Sequence, residues 1–168
     1  MRLTDSTDYT LRALMYLRVR DDRLATIEEI AQAYGLSRHH MSKIIGRLVA
    51  IGWVEGIRGR SGGVRLAHNA RDLTVGAVVR ATEPDFALAS CHAAGVAAGR
   101  RECAIVEHCR LQHILLDARD AFLAELDTCT LEDLATPAQS LAAAFGLGRL
   151  RMPDPSAHDD TDRHQTSG

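Results

Sequence analysis

A single residue, Leu36, separates Gly35 from Ser37, and that spacing limits the fold more than any other feature of the 168-residue chain. Before it, Ile27, Ile30, Ala31 and Tyr34 recur at helical spacing; after it, Met41, Ile44, Ile45 and Leu48 do the same. Gly35 is placed to end one helix, and the Ser37 hydroxyl to accept from the first-turn amides of the next. Two amphipathic helices joined across so short a link make a helix-turn-helix. Thr26 and Glu29 have capping-box spacing at the start of the first of these helices. A further amphipathic helix precedes the pair, with Leu11, Leu14, Met15, Arg18 and Val19 on one face.

After Gly52 the period changes. Trp53 to Glu55 and Val64 to Leu66 are short β-prone runs flanking a turn-rich, cationic stretch from Gly56 to Gly63, which predicts a hairpin. Three helices and a basic hairpin make a winged helix. Thr74 caps a short helix from Val75 to about Thr82. A long helix from Leu111 to about Leu126 carries Leu111, Ile114, Leu115, Ala118, Phe122 and Leu126 on one side, with Leu116 and Leu123 as a second stripe. That much apolar surface on a solitary helix predicts packing on a symmetry mate. The fold class is therefore mainly α with a small β-hairpin wing, a winged helix-turn-helix DNA-binding domain plus a long dimerisation helix. The expected regions are a DNA-binding domain over 1–82, a cysteine-rich cluster-binding loop over 83–110, a dimerisation helix and C-terminal helical segment over 111–147, and a disordered tail over 148–168, rich in Pro and Asp.

The formal charge is -2, from 20 basic and 22 acidic residues, which alone argues against nucleic acid. Its distribution argues the reverse. Up to residue 80 there are 13 basic against 8 acidic residues, and after it 7 against 14. In the cationic half, Arg38, His39, Ser42, Lys43 and Arg47 lie opposite the apolar face of the third helix, the layout of a recognition helix in a major groove. Lys43 is the sole lysine of the chain. In the hairpin, Arg58, Arg60 and Arg65 alternate with Gly59, Gly62 and Gly63, so that backbone can approach phosphate while Arg58 and Arg60 enter a minor groove. The glycine spacing fits neither a P-loop nor a dinucleotide fingerprint. Trp53 reads as a core anchor. Dimer symmetry predicts double-stranded DNA carrying an inverted repeat.

No apolar run approaches the length of a membrane span, and Arg2, Asp5, Asp8, Arg12, Arg18 and Arg20 crowd the first twenty residues, so a cytoplasmic location without membrane contact is expected. There, cysteines serve metal or redox chemistry more than disulfides. Cys91, Cys103 and Cys109 are separated by eleven and five residues, with no Cys-x-x-Cys knuckle of a zinc ribbon. Well-spaced thiolates suit an iron-sulfur cluster, whose irons need ligands from separate directions. The fourth ligand stays open among His92, His108, Cys129 and a distant Asp8. Asp8 equally suits a plainer role, complementing the helix dipole and pairing with Arg12. Cys129 reads as a small buried residue. No Cys-His-Asn arrangement or cofactor fingerprint supports an enzyme.

Met1-Arg-Leu-Thr4, Thr7-Asp-Tyr9, Leu11-Arg-Ala-Leu14, Arg38 to Ile45, Val54-Glu55, Arg58 to Leu66 and the three-cysteine loop together resemble the Rrf-type winged-helix iron-sulfur repressors. The resemblance spans about residues 1–135 and implies a homodimer. It implies a cluster, 4Fe-4S in preference to 2Fe-2S, on Cys91, Cys103 and Cys109 with Asp8 of the partner subunit as fourth ligand. It further implies repression relieved when nitric oxide attacks the cluster. An iron-responsive repressor, or a DNA-binding protein with a structural zinc, are the alternatives.

Overall fold

The computed structural model describes residues 2–89, Ile105 and 108–147. Its helices are α1 (Asp5–Val19), α2 (Ile27–Ala33), α3 (Arg38–Ala50), α4 (Val75–Thr82), α5 (Arg110–Asp127), α6 (Leu131–Leu134) and α7 (Ala138–Ala144). The strands β1 (Val54–Ile57) and β2 (Gly63–Leu66) lie between α3 and α4. The expected winged helix-turn-helix is present. The tail expected from 148 onward lies outside the described residues.

Local chemistry explains the boundaries. Thr4 caps α1 by accepting from the Thr7 amide. Both arms of the Thr26 capping box form, with the Thr26 hydroxyl accepting from the Glu29 amide (3.2 Å) and the Glu29 carboxylate from the Thr26 amide (2.7 Å). Gly35 follows α2 at a φ of +63°, a conformation that a side chain strains. Leu36 N–H then turns back to the Ala31 carbonyl at 2.8 Å, and Ser37 opens α3. This is the tight turn that the Gly35-Leu36-Ser37 spacing predicts.

Helix α1 departs from its expected single face. Thr7, Thr10, Ala13, Leu14, Tyr16, Leu17 and Val19 are buried, whereas Leu11, Met15 and Arg18 are half-buried. The reason is its position: α3, α4, α6, α7 and β2 all pack on it, so it is enclosed on several sides rather than along one stripe. Met41, Ile44, Ile45 and Leu48 of α3 join this core with Val54, Val64 and Leu66 of the hairpin. The strands pair antiparallel, Val54 opposite Leu66 and Glu55 opposite Arg65. Ala25, just before α2, adds a bridge to Val64 on the other edge of β2 (2.8 and 2.9 Å), tying the wing to the helix-turn-helix. Trp53 lies half-buried against this core, as an anchor should.

Helix α5 docks on α4 through a second apolar cluster of Val75, Val79 and Leu123, with Phe122, Leu126 and Cys129 at its edge. The approach is close at Gly76, where an added Cβ would sit 2.0 Å from the Asp127 Oδ1. Arg80 grips that carboxylate with both terminal nitrogens at 2.6 Å. Helices α6 and α7 then fold back onto α1, burying Leu131 and Ala142.

The capping box predicts a pH effect. Arg23 first, and then the Thr26 amide, hold the Glu29 carboxyl at about 2 against an ordinary 4.5. Because the folded value is depressed, the stabilisation is complete above about pH 4.5 and disappears as pH falls toward about 2. Glu29 is partly exposed, so the effect is on the order of 1 kcal/mol. In acid titrations of thermal stability, Glu29→Gln, which keeps hydrogen-bonding capacity, should lose much of the slope between pH 4.5 and pH 2. An unchanged slope would assign it to other carboxylates.

Candidate DNA interface and cysteine site

Arg38, His39, Ser42, Lys43 and Arg47 are all exposed on α3, opposite its buried apolar row. Arg38 leans toward Glu28 of α2 at 3.4 Å, and Arg47 donates to the Ser6 hydroxyl of α1 at 3.2 Å. His39 and His40 lie side by side, ring centroids 6.2 Å apart, in the first turn. At the tip of the hairpin Arg58 and Arg60 are exposed. Arg65, on the body of the hairpin, is instead paired across the strands with Glu55 at 2.7 Å. The strand register that sets these two residues opposite each other removes Arg65 from the free cations of the wing. The tip itself is tight: a Cβ on Gly62 would lie 2.4 Å from the Ile57 carbonyl oxygen, so that position requires glycine.

Pairing separates structural from available cations. Of the thirteen basic residues up to Arg80, nine have a carboxylate within 4.0 Å: Arg2, Arg12, Arg18, Arg20, Arg23, Arg38, Arg65, Arg71 and Arg80. Among the described residues the remaining four, Lys43, Arg47, Arg58 and Arg60, have none. All four belong to the third helix or the wing tip. Charges left without local partners on a helix face and a hairpin tip suit a polyanion, because each phosphate they meet releases condensed counterions.

The cysteine site is described in part. Cys91, Cys103 and His92 lie outside the described residues, so no ligand geometry involves them. Cys109 is a free, half-buried thiol at the N-cap of α5, making no capping hydrogen bond. His108 beside it is exposed. Cys129 is half-buried rather than fully buried, at the edge of the α4/α5 apolar cluster. Asp8 accepts from the Arg12 Nε through both oxygens, at 2.9 and 3.0 Å, and each side chain is 44% exposed. That is the i, i+4 pair its plainer role predicts. The Arg12 guanidinium also lies 5.6 Å from the Tyr34 ring centroid, so it has a second partner at hand.

Sequence reasoning missed the junction at the first turn of α1. Glu83, which follows α4, accepts from the Thr4 amide (2.8 Å) and hydroxyl (3.1 Å), and Thr7 bonds Thr82 at 2.9 Å. Ser6 in the same turn carries the Arg47 contact. These partners are far apart in the chain and obey no periodicity, so only the Thr4 cap among them had a local signal.

Over residues 3–137 the chain matches the family model described as Rrf2, iron-dependent transcriptional regulator. The chain belongs to the Rrf2 family. It is accordingly a DNA-binding transcriptional regulator and not an enzyme. Among its relatives is the HTH-type transcriptional regulator NsrR of Geobacillus kaustophilus (strain HTA426), 44% identical over 142 residues, 84% of this chain and 94% of the relative. NsrR of Bacillus subtilis (strain 168) is also 44% identical, over 80% of this chain and 90% of its own length. The solved structure of CymR, the global cysteine regulator of B. subtilis, superposes with a TM-score of 0.62 at 26% identity, over 82% of this chain and 98% of that one. The Rrf2 architecture thus matches the mainly helical fold with its wing.

The unpaired cations give a prediction. Lys43→Ala on α3 should weaken binding to a cognate operator by about 10-fold or more and relax its base preference. Arg60→Ala should weaken all sequences alike and flatten the salt dependence by about one counterion per site. Arg65→Ala should do less than either, since its charge is already spent on Glu55. Fluorescence anisotropy at several salt concentrations checks all three.

Proposed function

We propose that this Rrf2-family protein is a homodimeric, cytoplasmic repressor whose hold on inverted-repeat operators depends on an iron-sulfur cluster and is released by nitric oxide at promoters of nitrosative-stress genes. The observation that carries the reading is the 44% identity to two regulators named NsrR over nearly their whole lengths. His39, Lys43 and Arg47, with Arg38 and Ser42 beside them, approach the major groove, and Arg58 and Arg60 the minor groove.

The residues present fit such a group. Cys109 is a free thiol at the N-cap of α5, with no capping hydrogen bond to occupy it. With Cys91 and Cys103 it would make three thiolate ligands of a 4Fe-4S cluster, with Asp8 of the partner subunit as the fourth; a 2Fe-2S cluster is the alternative. Asp8 would first part from Arg12, which keeps the Tyr34 ring as a partner. Such a cluster, held there, would supply iron chemistry open to nitric oxide. The remaining work falls to the chain. Cys109 opens α5, Asp127 at the other end of α5 is clasped by Arg80 of α4, and Glu83 after α4 holds the first turn of α1. Loss of the Cys109 anchor would loosen the start of α5 and act on the DNA-binding helices through these contacts. The family description, iron-dependent, favours a second reading in which iron supply rather than nitric oxide is the signal.

Dimerisation is assigned to α5. Leu111 is 61% and Ile114 58% exposed, and Ala118 lies exposed on the same side. Phe122, Leu123 and Leu126 instead cover α4 within the chain. Ile114→Glu should therefore yield a folded monomer in sedimentation velocity, with operator affinity reduced at least about 10-fold through the lost second half-site.

Anaerobically isolated protein should be brown, bleach on nitric oxide addition, and lose operator binding in step with the bleaching. Cys91→Ala, Cys103→Ala and Cys109→Ala should lose the colour and the regulation, while Cys129→Ala keeps both. A colourless, zinc-loaded protein with equal operator affinity would overturn the cluster reading, and response to iron chelation but not to nitric oxide would select the second one.

A further inference from the structure

The end of α1, the turn after it, α2 and the last turn of the chain's described part line a groove of about 340 Å³. Its volume is in the lower range for small-molecule sites. One end is aromatic: Phe145 lies 5.3 Å from the rings of both Tyr16 and Tyr34, and Ala33 and Leu147 extend the apolar wall. The other end is polar, formed by Arg20, Arg23, Glu29 and Gln32.

The two arginines differ in how they are engaged. Arg23 is occupied, donating to Glu29 at 2.5 Å and to the Leu24 carbonyl at 2.7 Å. Arg20 is nine-tenths buried, and among the described residues its Nε has no hydrogen-bond partner. Its nearest acid, Asp22, stands off at 3.6 Å, and its Nη1 makes a long 3.4 Å contact to the Leu147 carbonyl. A buried guanidinium with an unmet donor is costly and matches a planar carboxylate in shape. The ionised Glu29 opposite disfavours a second negative charge on whatever enters.

We propose that this groove binds a small monocarboxylate with an aromatic or branched apolar body, its carboxylate on Arg20 and its body against Tyr16 and Phe145. Such a ligand would link α1 and α2, the first two helices of the DNA-binding lobe, to the segment that follows α7. It would give the regulator an input separate from its cysteines.

The test uses full-length protein and 3-phenylpropanoate as probe, with 3-phenylpropanol as its uncharged counterpart, followed by calorimetry. One site per chain is expected, with a Kd of about 1 mM or tighter for so small a ligand. The alcohol should bind at least about 10-fold more weakly. Arg20→Lys keeps the charge but loses the planar fork and should weaken binding about 10-fold. Gln32→Glu lies on the exposed rim, leaves the core intact, and should weaken it several-fold by adding negative charge. Equal binding of acid and alcohol, affinity unchanged in both variants, or no saturable binding up to about 10 mM would each overturn the proposal. So would binding that appears only after removal of residues 148–168, which would assign the groove to the chain's own acidic tail.

Discussion

The enclosure of α1 is the constraint on which the other elements depend. Ala13, Leu14, Tyr16 and Leu17 are at most 1% exposed, and each large side chain of this kind contributes about 1.5–3 kcal/mol by leaving water. A helix so covered cannot be satisfied by one neighbour. Helix α3, strand β2, α4, and the returning α6 and α7 each cover a different side of it. The polar residues of α1 must then find partners at its ends. Arg18 reaches Glu132 of α6 and Arg20 turns toward Leu147, while Thr4 and Thr7 meet the end of α4.

The first turn of α1 consequently joins parts that would otherwise be independent. Thr4 and Thr7 hold Glu83 and Thr82, Ser6 receives Arg47 from α3, and Asp8 holds Arg12. Helix α4 in turn is clasped to α5 by Arg80 and Asp127, where Gly76 leaves no room for a larger residue. The Arg80 guanidinium keeps the Asp127 carboxyl below its ordinary range, so this clasp persists throughout the neutral range. From Cys109 to Arg47 the route runs through folded helices joined by hydrogen-bonded or ion-paired ends.

What could be read from the sequence was what the chain encodes locally. Gly35-Leu36-Ser37, the Thr26 cap and the amphipathic row of α3 each depend on residues within four positions, and all took the expected form. The α1 face was harder, because periodicity picks one stripe, whereas contacts from distant segments bury Tyr16 and Leu17 as well. Glu83 is 79 residues from the threonine it binds, and no spacing rule anticipates that pair. Arg65 looked like a third wing cation until strand register set Glu55 opposite it. Asp8 showed the reverse: its i, i+4 relation to Arg12 was legible and formed.

The pairing of charges also resolves how a chain of net charge -2 serves as a DNA-binding regulator. Most arginines of the N-terminal half are held by carboxylates on neighbouring turns or strands, where exposed pairs contribute little to stability but cancel each other's far field. Lys43, Arg47, Arg58 and Arg60 are left, on the two elements that a winged helix offers to DNA. Local complementarity, rather than net charge, therefore sets where a phosphate backbone is attracted. In the proposed dimer the set would be doubled, with two such groups on one duplex. A handful of unpaired cations per subunit is the scale of phosphate contact that steers binding and makes it salt-dependent, while in the proposed reading base discrimination falls to the first turns of α3.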